Sequence, residues 1–193
     1  MAEHTHTTKY PKLFNGNAWW AAIWGFAEAT FFFFIPDIFI SYRAMYSFRS
    51  ALKACGFALL GALVGGTVMY VIASHNPAGA LSFVDHVPTV TEETIHTVKH
   101  EYSVHGLMAV IYGPLRTAPY KIYAVLAPVF AIGYLPFIVI SIIARLARFV
   151  VIATVTSGIS GALKSKVSFR GRLAILAACW LTMYTAYFAT HWI

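Results

Sequence analysis

Three uninterrupted apolar segments in this sequence are long enough to cross a lipid bilayer as helices. They cover approximately residues 51–73, 134–158 and 173–190, and a helical crossing needs about 20 apolar residues. Of the 193 residues 59% are hydrophobic and 11% are charged, whereas a soluble domain has about 25% charged residues. The sequence therefore predicts an all-α polytopic membrane protein rather than a soluble enzyme or binding module.

The whole chain, residues 1–193, is expected to form a single membrane domain. Residues 1–16 form a polar N-terminal tail that lacks the apolar run of a removable signal peptide. Cys55 and Cys179 both lie in apolar segments, so we expect inert thiols in the core rather than a disulfide or a metal site.

Two further apolar stretches, residues 17–42 and 106–133, are interrupted by prolines and charges. The first contains Glu28 and the adjacent Pro36 and Asp37. Proline removes a backbone donor and clashes with the preceding turn, so each stretch is predicted to be helix, break, helix. The interrupting residues of the second stretch are Pro114, Arg116, Pro119, Lys121 and Pro128.

Basic residues indicate whether each broken stretch crosses the membrane or turns back, because short cytoplasmic loops are enriched in Lys and Arg. If both turn back, nine of the fourteen basic residues are cytoplasmic, whereas two ordinary crossings would split them between the two faces. We therefore predict two re-entrant hairpins, a cytoplasmic N-terminus and an external C-terminus. The nine residues are Lys9, Lys12, Arg43, Arg49, Lys53, Lys164, Lys166, Arg170 and Arg172.

This topology predicts an inverted repeat. A hairpin and a span over residues 17–73 are followed, after an external segment at 74–105, by a hairpin and a span over residues 106–158. In inverted repeats the broken helices meet near the midplane of the bilayer, where their ends form a binding site.

Charged side chains at membrane depth are energetically costly and usually mark a pathway or a ligand site. Four predicted cations face two predicted acids, which leaves an excess of two positive charges. A phosphate monoester carries about −1.5 to −2 charges and three acceptor oxygens, so it would complete the site. The cations are Arg116, Lys121, Arg145 and Arg148, and the acids are Glu28 and Asp37.

A structural interpretation competes with this one. The arginines could extend to an interface, with the acids pairing to them as bridges. Glu28 could equally be a protonated carboxyl group in the core, and Asp37 could cap the backbone donors exposed at the break after Pro36.

At these residues the sequence resembles the DedA or VTT family of membrane proteins, and in particular its YqaA-like branch. Glu28 followed by Pro36 and Asp37 is similar to the acidic motif of the first hairpin. The stretch "RTAPYKIYAVLAP", residues 116–128, is similar to the family's second motif, with Arg116, Pro119 and Lys121 at the corresponding positions. The run "RLARF", residues 145–149, resembles the branch's late basic pair.

The resemblance implies a transporter, or flippase, of lipid phosphates, such as undecaprenyl phosphate or a phospholipid, in a bacterial plasma membrane. Arg116, Lys121, Arg145 and Arg148 would bind the head group, and Glu28 and Asp37 would couple its movement to protons or cations. No cofactor is implied. The chain departs from the family at Lys121, where many members have an arginine one place further on, and a lysine cannot make the same bidentate contact. It also departs at Pro128, where they have a glycine.

The external segment contains Glu92, His96 and His100 at four-residue spacing, which can bind Zn²⁺. The same segment has Val90, Val98 and Tyr102 on an apolar stripe. We favour an amphipathic helix on the membrane surface, with the histidines solvated and no metal bound.

The final apolar segment contains small residues, which permit close helix packing. We expect this packing within the monomer, although the same face could support a homodimer. The small residues are Ala174, Ala177, Ala178 and Ala186.

Other functions remain open: an integral membrane enzyme acting on a lipid phosphate, or a membrane assembly factor that does not transport. The sequence contains no evident nucleophile or Mg²⁺ motif beside the charged residues. The net charge of +7 does not predict nucleic-acid binding, because the basic residues are distributed as topology signals.

Overall fold

The computed structural model describes residues 19–88, 90–113 and 118–191. The polar tail at residues 1–16, Pro114 and Arg116 therefore lie outside the described residues. Every regular element in the described ranges is helical. The helices are α1 (Trp19–Thr30), α2 (Asp37–Tyr46), α3 (Phe48–His75), α4 (Pro77–Asp85), α5 (Glu92–His105), α6 (Ala109–Tyr112), α7 (Tyr120–Val129), α8 (Tyr134–Leu163) and α9 (Phe169–His191), with a 3₁₀ turn at Gly106–Met108.

Three of these helices are long and apolar enough to cross a membrane. They are α3, α8 and the part of α9 at Phe169–Ala189, and they coincide with the three apolar segments of the sequence. The helices extend past the apolar segments: α3 covers Phe48–His75, α8 covers Tyr134–Leu163, and α9 begins at Phe169. The prediction of an all-helical integral membrane protein is confirmed.

Helices α1 and α3 are parallel and in close contact. Gly61 faces the carbonyl group of Ala22, and a Cβ atom at Gly65 would lie 2.8 Å from the carbonyl oxygen of Phe26. Because the two contacts advance together along both helices, the helices run in the same direction. The glycines on α3 allow the two backbones to approach to a distance that any larger residue would prevent.

Helices α3 and α8 are antiparallel. Near the end of α3, the hydroxyl group of Thr67 lies 2.9 Å from that of Tyr134 at the start of α8. Near the start of α3, Cys55 lies in one apolar cluster with Phe149 of α8. Cys55 is buried, as expected for an inert thiol.

The first broken stretch has the predicted pattern of helix, break and helix. Helix α1 ends at Thr30, and α2 begins at Asp37 directly after Pro36. The intervening backbone is held by side chains: Trp24 Nε1 donates to the carbonyl oxygen of Phe34 at 2.9 Å, and the N–H group of Ile35 donates to Tyr184 Oη at 3.0 Å.

The second broken stretch differs from the prediction in its incoming arm. The described part of that arm, residues 106–113, holds a 3₁₀ turn and the four residues of α6, which are shorter than the expected hairpin helix. Helix α7 begins directly after Pro119, whose fixed φ suits the position before a helix. Pro128 lies in the last turn of α7, where it no longer interrupts many backbone hydrogen bonds.

The segment predicted to be external, residues 74–105, contains two helices, α4 and α5, and its predicted apolar stripe is buried. Val90, Val98 and Tyr102 are buried, but they pack against protein instead of a membrane surface. The ring of Tyr102 stacks on Phe130 at 5.3 Å, and its hydroxyl group donates to the carbonyl oxygen of Tyr123 at 2.8 Å. A phenol is protonated at neutral pH because its ordinary pKa is about 10, and burial raises the pKa of Tyr102 further.

Helix α9 packs within the monomer through a different face from the predicted one. Its four alanines at positions 174, 177, 178 and 186 are exposed, and so is Cys179, which is not a core thiol. Contact with the rest of the protein is made by its aromatic face. That face consists of Trp180, Tyr184 and Phe188, which lie against residues 33–41.

Candidate functional site

Charged residues from both broken stretches and from α8 converge in the middle of the protein. Glu28 lies in the last turn of α1, Asp37 is the first residue of α2, and Lys121 is the second residue of α7. Arg145 and Arg148 lie near the middle of α8, three residues apart and therefore on one face. The two breaks position these groups, because each ends a helix close to α8.

Glu28 and Arg145 form a buried ion pair. Nη2 of Arg145 donates to Oε2 of Glu28, and both side chains are almost completely buried. The guanidinium carbon of Arg145 also lies 4.3 Å from the centre of the Tyr120 ring, a cation–π arrangement that stabilises a desolvated charge. Tyr120 in turn donates to Ser141 Oγ at 3.0 Å, so α7 and α8 orient the pair together.

Asp37 and Arg148 form a second ion pair that is less enclosed. Nη2 and Nε of Arg148 lie 2.6 Å and 2.9 Å from the same carboxylate oxygen, Oδ2 of Asp37. The other oxygen, Oδ1, has no hydrogen-bond partner among the described residues, so Asp37 does not cap the break. The Arg148 side chain is 22% exposed, against 3% for Asp37. Because Arg145 is almost completely buried, Arg148 is the more accessible of the two arginines.

Lys121 is a buried cation without a carboxylate partner. It is 1% exposed, and its Nζ donates to the carbonyl oxygen of Phe32 at 2.8 Å. Within the described ranges, no carboxylate lies within 4.0 Å of this ammonium group, although Glu28 attracts it and Arg145 repels it from further away. Phe32 belongs to the break of the first stretch, so this hydrogen bond connects the two broken stretches.

The structure therefore places five of the six predicted charged residues together, and the sixth, Arg116, lies outside the described residues. Pro36 and Pro119 directly precede α2 and α7, which is the position predicted for the prolines at the two helix breaks. The arrangement holds two matched ion pairs next to a lone ammonium group. Such a site can bind an anion by exchanging carboxylate partners for it.

Sequence reasoning missed a third buried carboxylate, Glu101 of α5. It is 2% exposed and accepts a hydrogen bond from the hydroxyl group of Tyr123. The sequence feature that could have identified Glu101 is its position, three residues after Val98 and next to Tyr102 on the buried stripe of α5. Glu101 adds a buried carboxylate to the two predicted acids, while Arg116, the fourth predicted cation, lies outside the described residues, so the excess of two cations stays a prediction.

Tyr184 was also missed. Its hydroxyl group supports the first break by accepting from the N–H group of Ile35, and its ring packs on Phe34 at 4.8 Å. No local pattern marks this residue, because it is 149 residues away from the backbone group that it serves.

The metal candidate on α5 is not assembled among the described residues. Glu92, His96 and His100 are all exposed on α5. No group of three potential ligands comes together in the part of the chain that the structure describes. Their exposure agrees with the predicted solvated face of α5.

These features define a class: an all-helical integral membrane protein with paired charges between two broken segments. A protein of Haemophilus influenzae named "Uncharacterized protein" is similar to this chain, at 26% identity over 136 residues, which is 69% of each of the two chains. No family model matches the sequence, and no solved structure matches it.

Proposed function

We propose that this protein transports lipid phosphates across the bilayer, with the central charged residues as the head-group site. The observation that carries the proposal is Lys121, a cation buried to 1% exposure whose partner is a backbone carbonyl instead of a carboxylate. A buried lysine without an anion is costly unless it serves a ligand. A resident phosphate would neutralise it.

In this proposal the two broken stretches are re-entrant hairpins of an inverted repeat. Support comes from the direction of the helices: α1 is parallel to α3, as expected if the chain turns back between them, and α3 is antiparallel to α8. The charged residues then lie where the two hairpins approach each other. Broken helices of this kind place their ends at a substrate near the midplane.

The transport step is an exchange of ion-pair partners. A lipid phosphate that reaches the site replaces Asp37 on the guanidinium group of Arg148, the more exposed arginine. Lys121 and Arg145 then complete the contacts to the phosphate, together with Arg116. The displaced carboxylates of Asp37 and Glu28 lose their counter-ions and take up protons, which couples movement to the proton gradient. The acyl or isoprenoid tail stays in the lipid.

The proposal is tested with the purified chain in vesicles that contain a fluorescent undecaprenyl phosphate analogue in both leaflets. A membrane-impermeant reductant outside removes only the exposed fluorescence, so complete loss reports transport. The double variant Glu28→Gln/Arg145→Gln removes one acid and one base and keeps the net charge. We expect it to fold and to slow transport at least about tenfold.

The matched control is Glu93→Gln/Lys99→Gln, which makes the same charge changes on α5, away from the site. We expect it to transport at the wild-type rate. A parallel set of vesicles with fluorescent phosphatidylglycerol distinguishes a polyprenyl phosphate from a phospholipid substrate. Wild-type transport by the Glu28/Arg145 double variant would contradict the proposal, and release of inorganic phosphate would show an enzyme instead.

A further inference from the structure

An apolar groove lies between α8 and α9, and its lining residues Ser41 and Ile152 come one helical turn after Asp37 and Arg148. It has a volume of about 280 Å³, and α2 closes one side with Ser41 and Met45. Its walls are almost entirely apolar. They include Ile152, Ile159 and Leu163 of α8 and Ile175, Leu176 and Met183 of α9.

The groove has the depth of one membrane leaflet. It extends along α8 from Ile152 to Leu163 and along α9 from Arg172 to Met183. Eleven residues of helix rise about 16 Å, and the hydrocarbon core of a bilayer is about 30 Å thick. The groove therefore matches the half of the bilayer that one acyl chain occupies.

One end of the groove is closed and cationic. There the short connection at residues 164–168 joins α8 to α9, and Arg172 lines the groove. Arg172 Nη1 donates to the carbonyl oxygen and to Oγ of Ser160 at 2.9 Å and 2.7 Å, which holds its guanidinium group at the end of the groove. Three exposed cations lie in this connection or in the first turn of α9: Lys164, Lys166 and Arg170.

Helix α9 leaves the groove open because it is attached along one side only. None of its most apolar 18-residue window is buried inside the protein. Its contacts run through Trp180, Tyr184 and Phe188 toward α2 and the first break, and Trp180 donates to Ser41 Oγ at 3.0 Å. The apolar side chains that face α8 thus border a gap that hydrocarbon can fill.

We propose that this groove binds an anionic phospholipid, with one acyl chain between α8 and α9 and its phosphate at Arg172. The charge of the closed end favours an anionic head group, which makes charge-assisted hydrogen bonds to the guanidinium group. The bound lipid joins α9 to the rest of the protein. This site is separate from the head-group site at Lys121, and the proposal stands whether or not the protein transports lipids.

A second copy of the chain is the competing occupant, and charge argues against it. Two copies inserted in the same orientation would bring their 164–172 loops to the same membrane face. Pairing them across this groove would place Lys164, Lys166, Arg170 and Arg172 of each copy near those of the other. Like charges at short range repel, whereas an anionic lipid neutralises the same cations.

The tryptophan at position 180 provides the test, because its ring lines the groove. The full chain is reconstituted in phosphatidylcholine vesicles that contain either brominated phosphatidylglycerol or brominated phosphatidylcholine at equal mole fraction. Bromine on the acyl chain quenches tryptophan fluorescence at short range. The Trp180→Phe variant reports the quenching of the other four tryptophans, which is subtracted.

We expect brominated phosphatidylglycerol to quench Trp180 at least about twofold more than brominated phosphatidylcholine. Arg172→Gln should remove this preference, and Lys53→Gln, the same charge change at an exposed position of α3 that does not line the groove, should retain it. If Trp180→Phe does not fold, wild-type and Arg172→Gln are compared directly for total quenching. Equal quenching by both lipids, an unchanged preference in Arg172→Gln, or oxidative cross-linking of two chains through Cys179 with Trp180 protected from both lipids would each overturn the proposal.

Discussion

Lys121 donates a hydrogen bond from Nζ to the carbonyl oxygen of Phe32, 2.8 Å away, and so connects the start of α7 to the first break. The carbonyl group is available because the helix has ended at Thr30. The ammonium group, in turn, is buried with no carboxylate at ion-pair distance among the described residues. One contact therefore couples the two broken stretches and leaves a cation for an anionic ligand.

Replacing Lys121 separates the two roles of this contact. We expect Lys121→Met to change the free energy of unfolding by no more than about 1 kcal/mol, since the lost hydrogen bond is offset by removal of a buried charge. Transport in the vesicle assay should nevertheless fall at least about tenfold. Unfolding in mixed micelles and the transport assay measure the two effects on the same preparation. A large loss of stability with normal transport would mean that Lys121 is structural.

The Glu28–Arg145 pair should show strong energetic coupling. Arg145→Gln leaves Glu28 buried without its cation, which is expected to cost about 3–5 kcal/mol of unfolding free energy. Glu28→Gln should likewise be destabilising because it leaves the guanidinium group unpaired. In the double variant neither charge remains, so much of the loss should be recovered. A double-mutant cycle on unfolding in mixed micelles measures the coupling, and additive losses would show that the pair does not act as a unit.

The close approach of α1 and α3 should fail when Gly61 gains a side chain. A Cβ at this position would collide with the backbone carbonyl of Ala22, and forcing extra volume into such a contact typically costs about 1–3 kcal/mol. Gly61→Ala should therefore lower the unfolding temperature. Gly56→Ala on the same helix is the matched control, since nothing lies within 4 Å of its added Cβ. Equal behaviour of both variants would be inconsistent with this packing.

The hydroxyl group of Tyr184 should protect the backbone of the first break. Tyr184→Phe removes the acceptor for the N–H group of Ile35, which typically costs about 1 kcal/mol. We expect faster hydrogen exchange in a peptide that covers residues 31–36, measured by mass spectrometry in detergent. Thr182→Val on the exposed side of α9 is the control and should leave exchange unchanged. Unchanged exchange in both variants would show that α9 does not support the break.

Much of the architecture follows from local patterns. The three spanning helices are evident in the apolar runs, and Pro36 and Pro119 mark the starts of α2 and α7. The stripe on α5 also predicts a buried face. It does not reveal what covers that face, and a surface helix and a packed helix have the same periodicity. Tyr102 and its neighbours therefore pack on protein although a membrane surface was expected.

The charged centre was only partly foreseeable. Glu28, Asp37, Lys121, Arg145 and Arg148 stand out because ionisable residues are rare in apolar segments. Which acid pairs with which base depends on how α1, α2 and α8 meet, and the two pairs are 117 and 111 residues apart in the chain. The sequence did not mark Glu101 as a buried acid, because it lies in a polar segment and becomes buried only when α5 packs.

The sequence by itself determined that this chain enters a membrane, where its helices span and where its backbone breaks, because hydropathy and proline act over a few neighbouring residues. Only the tertiary structure decided the partners of the buried charges, the exposed face of α9 and the groove beside α8. These depend on distances between segments that are remote in the chain, and such distances are set by packing rather than by any local pattern.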